Sequence, residues 1–277
     1  MTPEQIEAVR QEMGLDGPIY VRYVRWLVGV LQGDLGYSIS TGRPVLEEIG
    51  ARVGPTVTLI GASLLVSLLI GIPLGVLAAY HHHRALDSVL SGLSLLTISL
   101  PTFVLGLLFI DFFGITLGIL PVSGMATIGA DFDPADRLAH LVLPALILGL
   151  SYAAPLMRYT RSSMLDVLGQ DYMVTAQAKG LGRLLVMRRH GLRNAILPLI
   201  TLFGLMLPDL IGGAVITEQI FNWPGMGRLA VTASSQRDPS LMMGVMMLVA
   251  VGVVLSTLVA DISYSVADPR VRLSRGR

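Results

Sequence analysis

The chain has 277 residues, of which 53% are hydrophobic and 14% charged, with a net charge of +1 and a mean hydropathy of +0.68. Soluble domains carry about 25% charged residues, so this composition excludes an ordinary soluble protein and points to a bilayer. Near-neutral charge argues against a nucleic-acid partner, and the absence of cysteine excludes disulfides, thiolate metal sites and cysteine nucleophiles.

Residues 1–53 read as an extracytoplasmic or interfacial segment. Acids near its start give way to "YVRYVRWLVGVLQGDLG", where Tyr20, Tyr23, Val24, Trp26 and Leu27 are interspersed with arginines, the pattern of a helix lying at the membrane interface. Such a helix serves as an external cap or as a simple anchor. Residues 54–264 read as an all-α polytopic transmembrane domain. A helix crosses the bilayer core with about 20 apolar residues, and lipid admits only helices or closed barrels. Five spans are expected, at about 54–80, 88–120, 138–157, 194–217 and 239–260. The second carries Asp111 and is bent or offset by Pro101; the third holds His140 and the fourth Asp209. Gly71/Gly75 and Gly114/Gly118 have the GxxxG spacing that permits close helix approach, a pattern common in polytopic proteins.

Between the third and fourth spans lies a polar interval, 158–193, and after the last span a basic tail, 265–277. Together with Arg84 these segments hold twelve of the twenty basic residues, and all fall on one side of a five-span topology. The excess of arginine and lysine marks that side, and the C-terminus with it, as cytoplasmic. Residues 1–53 then lie outside with no signal peptide to carry them across. The expectation is that a first span, upstream of residue 1, is missing.

The interval runs "RYTRSSMLDVLGQDYMVTAQAKGLGRLLVMRRHGLRNAILP". Met164, Leu165, Leu168 and Tyr172 recur at helical spacing among arginines and small polar residues. Short side chains follow to Lys179, the only lysine, and Gly180 suits a helix C-terminus. The physical reading is a short exposed helix held between two membrane-anchored ones, able to transmit force to a cytoplasmic partner. The plainer reading is a basic loop that satisfies the orientation rule.

This stretch resembles the loop of membrane subunits of binding-protein-dependent ABC importers, in its dipeptide, oligopeptide and nickel variant. The resemblance rests on Asp171, Tyr172, Thr175, Ala176, Ala178, Lys179, Gly180 and Leu181, then Arg189, His190, Leu192, Arg193, Asn194, Ala195 and Pro198. Val174 stands where the broader family carries Glu, and Leu192-Arg193 where it carries Leu-Pro, which points to the peptide-type branch. "GDLGYSISTGRPV", "GIPLGVLAA", "ISLPTFVLGLL", "HLVLPALILG", "GGAVITEQIFNWPGMGRL" and "DPRVRL" extend the likeness over nearly the whole chain. It implies a type I importer transmembrane domain in the bacterial or archaeal inner membrane, normally with six spans. It implies a second homologous permease subunit, by family habit a paralogue, two ABC ATPase subunits and an extracytoplasmic substrate-binding protein. The helix near 171–181 would dock on an ATPase, with ATP and magnesium held there and no cofactor on this chain. Asp171, Tyr172, Thr175, Ala176, Ala178, Lys179, Gly180, Leu181, Arg189, His190, Arg193 and Asn194 are the implied docking loop, with His190 orienting it. The residues themselves agree that the chain is not an ATPase, because Lys179 is followed by Gly180 rather than Ser or Thr. Di- or oligopeptides are the expected cargo; nickel chelates or another small solute are the alternative.

Asp209 and Asp111 are candidates for the pathway wall, since intramembrane carboxylates usually face protein or water; the duller reading puts them near span ends. The "HHH" at 81–83 suits a turn between spans, because three adjacent imidazoles on a helix cannot all face one ion. His140 reads as a packed or interfacial histidine. Glu218 and "NWPGMG" form either an ordered turn or a contact for the binding protein. A non-transporting scaffold remains a rival reading; an intramembrane enzyme is disfavoured by the lack of HExxH and GxSxG.

Overall fold

The computed structural model describes residues 17–178, 186 and 191–267. Within them the chain is helical. Helix α1 (Ile19–Leu31) starts after Pro18 and buries none of its side chains. A loop with an isolated bridge between Tyr37 and Pro44 leads to α2, Val45–Tyr80. Pro44 fixes the entry, and Glu47 and Glu48 sit in the first turn, where the helix dipole favours acids. The helix thus starts nine residues before the expected span at 54. Glu47, Glu48 and Arg52 end the apolar run but not the helix.

The stretch expected as a single span at 88–120 is two helices. Helix α3 (Ala85–Ser99) ends at Leu100, whose φ of −88° and ψ of 129° are extended, as sterics before a proline require. Helix α4 (Thr102–Phe109) follows Pro101 and continues as a π-helix over Ile110–Thr116. The two arms meet at 105°. Helix α5 (Pro134–Leu168) has Pro at its first position, and the Asp133 carboxylate accepts from the Ala135 amide at 2.9 Å, a standard N-terminal cap. It runs eleven residues past the expected end at 157 before Gly169 closes it. Then come α6 (Asp171–Ala178), α7 (Leu192–Ile220), α8 (Met226–Ser235) and α9 (Pro239–Ala267). By length and composition α2, α5 and α9 suffice to cross a membrane, and the bent α3–α4 pair makes a fourth. Helix α7, with 29 residues, is about 43 Å long at 1.5 Å per residue.

Helix α5 is the central post. It crosses α2 where glycines remove the side chain. A Cβ on Gly71 would lie 2.9 Å from the Ala153 carbonyl oxygen, and one on Gly75 would lie 2.5 Å from Thr160 Cβ. From the other side, a Cβ on Gly149 would meet Val66 at 2.6 Å. Close backbone approach of this kind replaces the hydrophobic drive that lipid cannot supply. The Gly71/Gly75 pair is therefore structural. Elsewhere, buried Leu59, Leu148, Leu210 and Trp223 join α2, α5 and α7, while Val45, Ile49, Leu229 and Leu241 join α2, α8 and α9. The outside is greasy: Leu93, Leu96, Leu107, Val254, Leu258 and Ile262 are all exposed.

Candidate coupling and pathway site

At one end of the bundle α5 gives way to α6 through Gly169 and Gln170. The Met173 amide donates to the Gln170 carbonyl at 2.9 Å, and the Met173 side chain is fully buried. Asp171, Tyr172 and Thr175 are exposed, and the Thr175 hydroxyl bonds back to the Asp171 carbonyl at 2.9 Å. Ala176 and Ala178 belong to the same helix. Lys179, Gly180, Leu181, Arg189 and His190 lie outside the described residues. Arg193 and Asn194 fall in the first turn of α7. At the same end, Ala79, Met164 and Ala195 pack together from α2, α5 and α7, and the Ser163 hydroxyl donates to the Ala195 carbonyl at 3.0 Å. The short helix thus leaves the end of α5 after only Gly169 and Gln170, with Met173 turned inward.

A second tie at this end was not visible in local sequence. Arg161 on α5 grips Asp87 on α3 with two parallel bonds, Nε to Oδ1 at 2.6 Å and Nη2 to Oδ2 at 2.8 Å. His82 Nδ1 lies 3.2 Å from Asp87 Oδ2, and the His83 amide donates to the same oxygen at 3.3 Å. A planar guanidinium fork on a buried carboxylate is among the stronger side-chain contacts. His81–His83 form the turn between α2 and α3, and His83 has a φ of 64°. No group of His, Asp and Glu among the described residues has the geometry of a metal site.

The two candidate pathway carboxylates sit apart in sequence and setting. Asp209 is exposed on α7, and Gly212, Ile216 and Gln219 continue its face at helical spacing. One turn on, Gly213 admits the Tyr152 hydroxyl of α5: a Cβ there would lie 2.9 Å from it. Asp111 is exposed in the π-helix, whose neighbours Phe109, Ile110 and Phe113 pack against Leu143, Ile147 and Phe221. Neither carboxylate has a hydrogen-bond or ion-pair partner among the described residues.

At the opposite end the "TEQIFNWPGMG" stretch is an internal knot. Glu218 and Trp223 have no exposed surface. Glu218 Oε1 accepts from the Thr56 hydroxyl at 2.6 Å and Oε2 from the Arg228 amide at 3.0 Å, while Trp223 Nε1 donates to the Pro55 carbonyl at 3.0 Å. A Cβ on Gly225 would overlap the Glu218 carboxylate, so glycine is required there. The ordered turn is what the structure contains, and Glu218 offers no surface to a partner. His140 is buried, with Nδ1 2.8 Å from the Asp136 carbonyl. Asp238, also missed by local pattern, joins the loop before α2 to the start of α9. It accepts from the Ser38 hydroxyl at 2.6 Å, the Ser40 amide at 3.1 Å, the Ser40 hydroxyl at 3.0 Å and the Leu241 amide at 3.0 Å.

Fold and site together define a polytopic helical membrane subunit with a short helix presented at its basic end. The sequence profile of the family described as binding-protein-dependent transport system inner membrane component matches residues 71–273, and that of the N-terminal part of such components matches 1–60. The oligopeptide transport system permease protein AppB of Bacillus subtilis is 45% identical over 276 residues, covering 98% of this chain and 87% of that protein. The glutathione transport system permease protein GsiC of Salmonella paratyphi A is 40% identical over 267 residues, covering 96% and 84%. Among solved structures, the MetNI methionine ABC transporter in an inward-facing conformation superposes with a TM-score of 0.67 at 18% identity, over 80% of this chain and 96% of that one. That likeness bears on the fold alone. The chain belongs to the binding-protein-dependent transport system inner membrane component family. It is a multi-pass inner-membrane permease subunit of an ABC importer, with a type I transmembrane domain.

Proposed function

We propose that this subunit forms half of the translocation pathway of an importer for di- or oligopeptides, and that residues 171–181 dock in a cleft of an ATPase subunit. The observation that carries the reading is the setting of α6. It exposes Asp171, Tyr172 and Thr175 while Met173 is fully buried, and it follows α5 after only Gly169 and Gln170. Force applied to α6 is delivered to α5, from which only Gly169 and Gln170 separate it. Closure of the ATPase pair, with ATP and magnesium bound there and none on this chain, then rocks the bundle between its two openings.

The pathway reading rests on the contrast between exposed faces. Helix α9 shows Val251, Val254, Leu255 and Leu258, a surface for lipid, and exposes its acid, Asp261, only in its last two turns. Helix α7 shows Asp209, Gly212, Ile216 and Gln219. A carboxylate at the bilayer centre costs about 2.5–3.5 kcal/mol on insertion scales, so this face suits water or a second subunit. Asp111, exposed in the π-helix, is a second candidate for a wetted surface. The arginine excess puts the 158–193 loop and the C-terminus in the cytoplasm. A homologous permease, a paralogue, completes the pathway, and an extracytoplasmic binding protein delivers the cargo. Peptide cargo is supported by the oligopeptide and glutathione relatives.

Uptake of labelled di- and oligopeptides by the reconstituted importer tests both parts. Replacing Asp209 by Leu is expected to depress uptake while all subunits still co-purify. Unchanged uptake would remove Asp209 from the pathway, and a wild-type importer indifferent to every peptide would refute the cargo.

A further inference from the structure

Between α3 and α5, at the basic end of the bundle, lies an open cavity of about 640 Å³. Its walls are Ser91 and Ile98 on α3 and Pro155, Arg158, Tyr159, Arg161 and Ser162 on α5. The two helices run in opposite directions, and each lines the cavity along an eight-residue stretch, or about 10 Å of rise. Polarity changes along that length. Ser91, Arg161 and Ser162 stand nearest the His81–His83 turn, with Arg158 about one helical turn deeper; Ile98 and Pro155 stand farthest in. The gradient follows the axis of the bundle, and so the membrane normal.

The two arginines are not equivalent. Arg161 is neutralised by Asp87 through its doubled bond. Arg158 is exposed and has no carboxylate or hydrogen-bond partner among the described residues. A guanidinium at the edge of the hydrocarbon region calls for an anion, and Tyr159 and Ser162 supply hydroxyl donors around it, while the Ser91 hydroxyl donates to Asp87 at 3.4 Å. Below it the cavity is apolar and continues into the exposed Leu95 and Ile98 of α3. A cationic, hydroxyl-lined head over a greasy foot fits an amphiphile whose charge faces the basic end.

We propose that this cavity holds an anionic phospholipid of the leaflet on the α6 side, its headgroup phosphate on Arg158 and its acyl chains along α3. Basic pockets between membrane helices are suited to such headgroups. The site is separate from the α7 face assigned to the cargo, and it sits against the Arg161–Asp87 tie that braces the end of α5 from which α6 departs.

The complete importer, purified with its partner subunits, is placed in nanodiscs containing phosphatidylcholine mixed with phosphatidylglycerol. Retained lipid is then counted by native mass spectrometry after release into detergent. Wild type is expected to keep phosphatidylglycerol over phosphatidylcholine. Arg158→Gln should lower that preference about fivefold, the effect of one cation near an anionic lipid surface, with Arg158→Lys intermediate. Subunit composition and melting temperature in pure phosphatidylcholine discs should match wild type, which separates the loss from misfolding. Equal retention by wild type and Arg158→Gln would overturn the proposal. Displacement of the lipid by inorganic phosphate alone would show a free-anion site instead. Displacement by peptide cargo would return the cavity to the pathway.

Discussion

Asp238 shows how much a single carboxylate can hold in this molecule. It is almost wholly buried, and four donors from two distant segments converge on it. Burial by itself would raise its pKa, but the Ser38 hydroxyl, the Leu241 amide and the Ser40 groups hold it down to about 2. The folded value is below the unfolded value, so the stabilising contribution is complete above the unfolded pKa near 4. It is lost as pH falls from there toward 2. Unfolding in detergent followed against pH should show this loss in wild type, and Asp238→Asn should lower stability at neutral pH by about 1–3 kcal/mol and flatten the acid response. Glu218 teaches a related lesson. A Glu beside a Gly- and Pro-rich turn reads as a surface residue, yet here it is enclosed by Thr56 and Gly225. Gly225→Ala is therefore expected to destabilise the knot, with near-ultraviolet circular dichroism of Trp223 as its monitor. Neither Asp238–Ser38 nor Asp87–Arg161 could be read from sequence, because the partners are 200 and 74 residues apart and no local periodicity links them.

At the level of elements, the α2–α5 crossing sets the tightest tolerance. A Cβ on Gly75 would lie 2.5 Å from Thr160 Cβ and 2.6 Å from the Met157 carbonyl oxygen. Gly75→Ala should cost about 1–3 kcal/mol by overpacking. Thr160→Ser should not rescue it, since the Met157 backbone stays in place; recovery of the melting temperature in the double variant would contradict this. Helix α6 buries Met173 completely. Met173→Ala removes a buried side chain worth about 2–5 kcal/mol locally, and peptide uptake should fall while the permease still co-purifies with its ATPases. The existence and helical nature of every long element were legible from apolar run length. Their ends were not. Charge stops an apolar run at Arg52 and at Arg158, but the backbone carries on as helix to Val45 in one direction and Leu168 in the other. The bend at Pro101 was signalled by its proline, whereas the 105° turn made of the expected span an angled pair that hydropathy alone cannot distinguish from a straight one.

Among the described residues the pattern is a central α5 buried on most sides, a greasy exterior on α3 and α9, and a short, partly exposed helix that follows α5. The proposed docking segment "DYMVTAQAKGL" stands out only through its likeness to known permeases, since eight residues of modest amphipathicity would otherwise pass for a loop. The segment joins α5 through two residues and buries Met173, which suits a lever between a partner and the bundle. The central claim is that this lever engages an ATPase. Because the chain has no cysteine, Thr175→Cys gives the subunit a single thiol on the exposed face of α6. Crosslinking that thiol in native membranes of cells expressing the whole importer, and identifying the adduct by mass spectrometry, tests the claim most directly. The account predicts a crosslink to a P-loop ATPase whose yield changes when ATP is trapped. A thiol that reacts freely with water-soluble reagents yet never captures an ATPase would contradict it.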